Sequence, residues 1–189
     1  MHWYNPPVHW TVSDETITVH TDPKTDFWRK THYGFIRDTG HFYFQAVHGN
    51  FVADVKVTGR YASLYDQAGL MIRSDETTWM KCGVEFVDGR QYASVVVTRD
   101  CSDWSVVPLN NAPSSIWLRV THQAGDVEVQ YSLDGNHYTM LRIAHVSRVK
   151  SLQVGVMCAS PEGAGFSVTF ESLRVRKIAS SPHEKCGEA

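Results

Sequence analysis

The chain is short of the residues that mark several common protein classes. Its four cysteines, Cys82, Cys101, Cys158 and Cys186, stand far apart, with no C-x-x-C pair and no zinc-ligand spacing. That usage suits a reducing compartment, so a cytoplasmic location is expected. Charge is nearly balanced, with 18 Lys and Arg against 20 Asp and Glu and a net charge of −2. No basic stripe is left over for a nucleic acid or an anionic membrane. No apolar run approaches the length of a membrane span. The opening residues, MHWYNPPVHW, lack the basic start and apolar stretch of a secretory signal. The phosphate-cradling G-x-G-x-x-G and G-x-x-x-x-G-K strings and the G-x-S-x-G nucleophile elbow are all missing. The ten histidines are scattered without an H-x-x-x-H pair, and no loop clusters Asp and Asn as a calcium site does. Neither a metal nor any other cofactor is expected.

Strand signals are abundant. About a dozen segments, among them Thr16 to His20, His41 to Val47, Phe51 to Thr58, Gln91 to Thr98, Val127 to Leu133 and Phe166 to Lys177, are rich in β-branched and aromatic residues. Turn residues separate them at short intervals, as in Gly49-Asn50, Asp134-Gly135-Asn136 and Ser160-Pro161-Glu162-Gly163. With no convincing amphipathic helix, this pattern predicts an all-β fold, a two-sheet antiparallel β-sandwich joined mostly by hairpins in the manner of a jelly roll. Apolar residues make up 42% of the chain, enough for one large core. Residues 1–179 are read as a single domain, and the small polar stretch 180–189 (SSPHEKCGEA) as a flexible tail.

The segment from Asp66 to Thr98 is specific enough to be paired strand by strand. Asp88-Gly89 is a strong type I′ hairpin signal, because both central residues of that turn need positive φ. Flanking it with Val87 and Arg90 sets Glu85 against Tyr92, Val84 against Ala93, Gly83 against Ser94 and Cys82 against Val95. With a period of two, Cys82, Val84, Ala93 and Val95 share an apolar face, while Lys81, Gly83, Glu85, Tyr92 and Ser94 share a polar one. Docking the preceding strand by matching apolar residues sets Ile72 against Cys82, Leu70 against Val84 and Ala68 against Phe86. Arg73 then faces Lys81, a like-charge pair that calls for an anion or a carboxylate nearby. The polar face reads either as a solvated outer surface or as the floor of a ligand groove, roomy because of Gly69 and Gly83.

Three segments carry a resemblance: DFWRKTHYGFIRDTGHF (Asp26 to Phe42), YASLYDQAGLMIRSDETTWMKCGVEF (Tyr61 to Phe86) and VVVTRDCSDWS (Val95 to Ser105). Together they resemble the family whose members are labelled "regulation of enolase protein", over roughly Trp10 to Val175. The resemblance implies a concanavalin-A-like lectin/glucanase sandwich, a superfold that hosts lectins, hydrolases and inert modules alike. Carried onto this sequence, it implies a shared polar set of Trp28, Arg29, His32, Asp66, Gln67, Arg73, Glu85, Ser102, Asp103 and Trp104. The label also raises a protein partner, with the chain regulating a metabolic enzyme.

These residue types suit a carbohydrate or sugar-derived small molecule. Flat Trp28 and Trp104 offer stacking faces, Arg29, Arg73 and Lys81 offer anchors for anionic or hydroxyl groups, and Glu85, Tyr92, Asp66 and Gln67 offer hydrogen bonds. Whether chemistry follows is open at this level. Glycoside hydrolysis needs two suitably spaced carboxyl groups, and the E-x-D-x-x-E string of glucanases on this sandwich is absent. A sugar hydrolase would need Glu85 with a second acid such as Asp103, and a sugar isomerase could use Glu85 with His32, Arg29 and Tyr33 as an acid/base site. Neither His32 nor Asp103 is placed by the sequence. Exposed sheet edges leave room for a homo-oligomer by strand pairing.

Overall fold

Period-two alternation of apolar and polar side chains organises most of the described residues into strands. The structure, a computed structural model, describes residues 1–146 and 151–179. The tail expected at 180–189, with His183 and Cys186, lies outside the described residues. In chain order the strands are β1 (His2–Tyr4), β2 (His9–Ser13), β3 (Thr16–His20), β4 (Phe27–Arg29), β5 (Ile36–Asp38) and β6 (His41–His48). They continue as β7 (Phe51–Gly59), β8 (Gln67–Arg73), β9 (Thr78–Val87), β10 (Arg90–Arg99) and β11 (Cys101–Pro108). The last are β12 (Ile116–Gln123), β13 (Asp126–Ser132), β14 (Thr139–His145), β15 (Ser151–Ala159) and β16 (Ser167–Lys177).

Two seven-stranded sheets result, in the orders β1-β6-β15-β8-β9-β10-β11 and β14-β13-β12-β7-β16-β3-β2, with β4-β5 as a separate ribbon. Every strand pairing within them is antiparallel. The inward faces form the main core, with Val55, Val57, Leu118, Val120 and Phe170 from one sheet meeting Leu70, Ile72, Val84, Val95 and Val156 from the other. Cys82 and Cys158 sit in this core as unpaired thiols. The expected all-β sandwich is what the chain forms.

A second core lies on the outer face of the first sheet, and it decides the rest of the argument. Phe27 and Trp28 of the ribbon pack there with Phe42, Phe44, Met71, Trp79, Val96 and Met157. All seven residues of β8 are buried as a result. Each large side chain fully removed from water contributes about 1.5–3 kcal/mol, so this cluster suffices to hold a ribbon that shares no ladder with the sheet. The polar face is therefore roofed, and Lys81, Glu85 and Ser94 are only 5%, 6% and 6% exposed.

The β9–β10 hairpin has the register the sequence implies, from Arg90↔Val87 through Glu85↔Tyr92 to Cys82↔Val95. Asp88 and Gly89 take the required positive φ of 48° and 77°. The β8–β9 pairing corrects the sequence reading by two residues: Gln67 faces Glu85, Gly69 faces Gly83, Leu70 faces Cys82 and Arg73 faces Trp79. The connecting turn sets this. Asp75 Oδ1 accepts hydrogen bonds from Thr77 N at 2.8 Å and Thr77 Oγ1 at 2.7 Å, and Ser74 N donates to Thr78 O at 2.9 Å. A shift of two preserves which face each side chain occupies, so apolar matching cannot detect it. Its consequence is that Arg73 and Lys81 are not opposite one another.

Candidate ligand pocket

The corrected register brings Gln67 beside Glu85, and the ribbon brings Asp26 over Lys81. Lys81 Nζ donates to Phe27 O at 2.7 Å and to Gln67 Oε1 at 2.5 Å, and lies 3.6 Å from Asp26 Oδ1. Gln67 Nε2 in turn donates to Tyr65 O at 3.1 Å and to Asp26 Oδ1 at 3.4 Å. Phe27 N caps the same Asp26 oxygen at 2.8 Å. Of the three ammonium protons, two have hydrogen-bond acceptors within the protein, and the charge is balanced by the nearby Asp26 carboxylate. Buried charges persist only when paired in this way.

Glu85 is held differently. Its Oε2 accepts from Ser94 Oγ at 2.6 Å and from Trp104 Nε1 at 2.7 Å. Its Oε1 accepts no hydrogen bond from the described residues. Burial pushes the pKa of this carboxyl up, against the opposing pull of Lys81 and of the two hydrogen bonds. The group is thus a fixed carboxyl with one free oxygen, able to accept from a ligand or to carry a proton.

Above this floor the walls are aromatic. Trp28, Tyr33 and Phe35 come from the ribbon, Tyr65 from the loop before β8 and Trp104 from β11, and with Arg37, Pro161 and Glu162 they complete the pocket. It encloses about 560 Å³, its open mouth included. Tyr33 stacks on Phe35 with ring centroids 5.4 Å apart, and the Arg37 guanidinium lies 4.7 Å from the Phe35 centroid. Tyr33 and Tyr65 share a hydroxyl–hydroxyl hydrogen bond of 2.9 Å. That bond, with burial, pushes the Tyr65 pKa up to about 12, and of the two hydroxyl protons one is left over for a ligand. Gly69 and Gly83 add no room to this floor, because a Cβ on Gly83 would stand 2.0 Å from Ala68 O, where the β8 backbone closes against it.

The family described as DUF1349, protein of unknown function, matches residues 3–178. The chain belongs to this family. Regulation of enolase protein 1 of Saccharomyces cerevisiae is 42% identical over 168 residues, covering 89% of this chain and 85% of that one. A crystal structure of a functionally unknown protein from Saccharomyces cerevisiae superposes with a TM-score of 0.91 at 40% identity, covering 95% and 97% of the two chains. The carbohydrate binding module CBM66 from Bacillus subtilis shares the fold, with a TM-score of 0.58 at 11% identity over 93% of this chain and 95% of that one.

Of the residues singled out in this DUF1349 sequence, Trp28, Gln67, Lys81, Glu85 and Trp104 converge on the pocket. The others do not line it. Arg29 binds Asp100, its guanidinium reaching Oδ1 at 3.2 Å, and its backbone N donates to Ser102 Oγ at 2.9 Å, tying the ribbon to the β10–β11 hairpin. Asp66 is fully buried and accepts from Ala62 N, Ser63 N and Ser160 Oγ, which fixes the loop into β8. Arg73 forms a two-pronged pair with Asp38 at 2.6 and 2.8 Å. Tyr92 sits toward the strand end, opposite Glu85 on one side and Pro108 on the other. His32 lies in the exposed ribbon loop, edge-on to Tyr33, and exposed Asp103 precedes Trp104, so it points to the opposite face. Neither stands as a partner to Glu85. The carboxyls that share the pocket with it are Asp26 and, at the mouth, Glu162, and sequence reasoning passed over both along with Phe35, Arg37 and Tyr65. Asp26, Phe35, Arg37 and Tyr65 lie inside the segments of the family resemblance, which was the one signal pointing to them.

Because folding raises the Glu85 pKa, the native state takes up its proton more readily than the unfolded chain, and ionised Glu85 opposes folding. That opposition holds above the raised value and fades as pH falls through it toward the ordinary carboxylate range. Glu85→Gln keeps the shape and removes the charge. It is expected to raise the melting temperature at pH 7–8 by about 2–4 °C, the response of a chain this size to roughly 1 kcal/mol, with a smaller gain at lower pH. A lower melting temperature would show that the bonds from Ser94 and Trp104 outweigh burial.

Proposed function

We propose that the protein binds a carbohydrate or a sugar-derived small molecule in the pocket over Glu85. The observation that carries this reading is a buried carboxyl pinned through one oxygen and open at the other, enclosed by aromatic side chains. Sugars present apolar ring faces and hydroxyl edges, and such a pocket offers a match for both. The fold shared with a carbohydrate binding module supports the reading. A cytoplasmic location is proposed with it, supported by the unpaired thiols Cys82, Cys101 and Cys158.

Thermal-shift and calorimetric titration against mono- and oligosaccharides, sugar acids and sugar phosphates test it. One chemical class is expected to raise the melting temperature in a concentration-dependent way. In Glu85→Gln the amide oxygen must face Ser94 and Trp104, so its NH₂ replaces the acceptor in the pocket. Affinity is expected to fall roughly tenfold or more. Absence of binding by every class would sink the proposal. A second reading, a protein partner among metabolic enzymes, is supported by the yeast relative's name and by exposed Val8, Trp10 and Val12 at the β2 edge. Capture of a partner that Trp10→Ser abolishes would favour it.

A further inference from the structure

The cations around the pocket differ sharply in what they already hold. Arg29 is bound to Asp100, Arg73 to Asp38, and Lys81 to Phe27 O, Gln67 Oε1 and Asp26. Lys24 and Glu162 pair with each other at 3.5 Å beside the mouth. Arg37 is the exception. It lines the pocket, rests on the Phe35 ring, and forms no ion pair or side-chain hydrogen bond among the described residues. The ring contact holds the guanidinium at the pocket and leaves its N–H fork unused, an arrangement that suits two-pronged recognition of a carboxylate or phosphate.

The charge balance of the pocket agrees. Asp26 is matched by Lys81 and Glu162 by Lys24, which leaves Arg37 positive at the rim and Glu85 at the floor. A ligand suited to both ends offers hydroxyl donors to Glu85 Oε1 and a negative group to Arg37. We infer that the sugar bound here is an anionic one, with its hydroxyl edge on Glu85 and its carboxylate or phosphate on Arg37. This rests on the sugar-binding reading above and narrows it.

Calorimetric titration with matched sets decides the matter: glucose, mannose and galactose, each beside its 6-phosphate and its uronic acid. In at least one set an anionic member is expected to bind roughly tenfold or more tighter than the parent, the worth of a charge-assisted hydrogen-bonded pair. Whether the phosphate or the uronate gains tells which anion fits. Arg37→Gln is expected to bring the anionic member down to the parent's affinity. Its melting temperature should fall by no more than about 2–4 °C, because the side chain is part-exposed and the ring contact with Phe35 is all that is lost. Equal affinity within every set, or a preference that survives Arg37→Gln, overturns the anionic assignment while leaving sugar binding intact. No binding by any of the nine compounds overturns the anionic assignment, and no binding by the oligosaccharides of the wider screen as well overturns the reading on which it rests.

Discussion

Asp38→Ala is expected to lower the melting temperature by about 10 °C or more. Arg73 is only 4% exposed, and its guanidinium is satisfied by the Asp38 carboxylate at 2.6 and 2.8 Å, with the Tyr4 ring 4.6 Å from its central carbon. Burial alone would pull its pKa down, yet the hydrogen bonds and charge of Asp38 carry it up. Removing the carboxylate leaves a buried cation without a counter-charge, at a cost of about 3–5 kcal/mol, and each kcal/mol is worth about 2–4 °C for a chain of this length. Tyr4 Oη also donates to Asp38 Oδ2 at 2.8 Å, so β1 loses an anchor as well. The double variant Asp38→Ala/Arg73→Met removes both charges and is expected to recover much of the loss in urea or thermal denaturation. A double variant no more stable than Asp38→Ala would show that the pair matters through packing rather than charge. Because Asp38 belongs to the ribbon that walls the pocket, ligand affinity should fall in the single variant too.

Gly83→Ala is expected to be among the most damaging small substitutions in the first sheet. A Cβ on Gly83 would stand 2.0 Å from Ala68 O and 2.7 Å from Gly69 Cα, both backbone atoms of β8. Gly69 has the mirror problem, its Cβ falling 1.8 Å from Cys82 O. A flexible side chain could swing away, but a ladder strand held on both edges has no such freedom. Overpacking in a well-packed site typically costs about 1–3 kcal/mol. Here β8 and β9 must part beside Lys81 and Glu85, so a loss of about 3 kcal/mol or more is expected. The readouts are the urea midpoint and the soluble yield. An unchanged midpoint would refute the claim that the two strands require bare backbone at this pair.

The sandwich and the β9–β10 register were legible because Asp88-Gly89 fixes a turn and period-two alternation fixes the faces. The β8–β9 register was not, since apolar matching is blind to a shift of two and the Asp75–Thr77 turn contacts that set it carry no apolar signal. The deepest error concerned the polar face. Lys81, Glu85 and Arg73 look like residues for solvent or for a ligand, and only the ribbon shows that most of their valences are met within the protein. That ribbon is hard to see from sequence because β4 and β5 are three residues each, too short for alternation to register. Its loop also depends on positive φ at Lys30 and His32, residues that do not advertise a turn. Arg37, one of 18 Lys and Arg in the chain, becomes distinctive only once Lys24, Arg29, Arg73 and Lys81 around the pocket are seen to be engaged.

The ribbon is fastened to the sheet by side chains and shares no β-ladder with it, yet it supplies Asp26, Trp28, Tyr33, Phe35 and Arg37 to the pocket. On the binding reading proposed above, recognition and scaffold are separately heritable. Insertions, deletions or exchanges within Trp28 to Arg37 can rewrite what the pocket accepts while every strand pairing beneath it stays in register. Relatives with the same sandwich and a different ribbon would be expected to differ in specificity, and grafting that stretch between them is a direct way to transfer it.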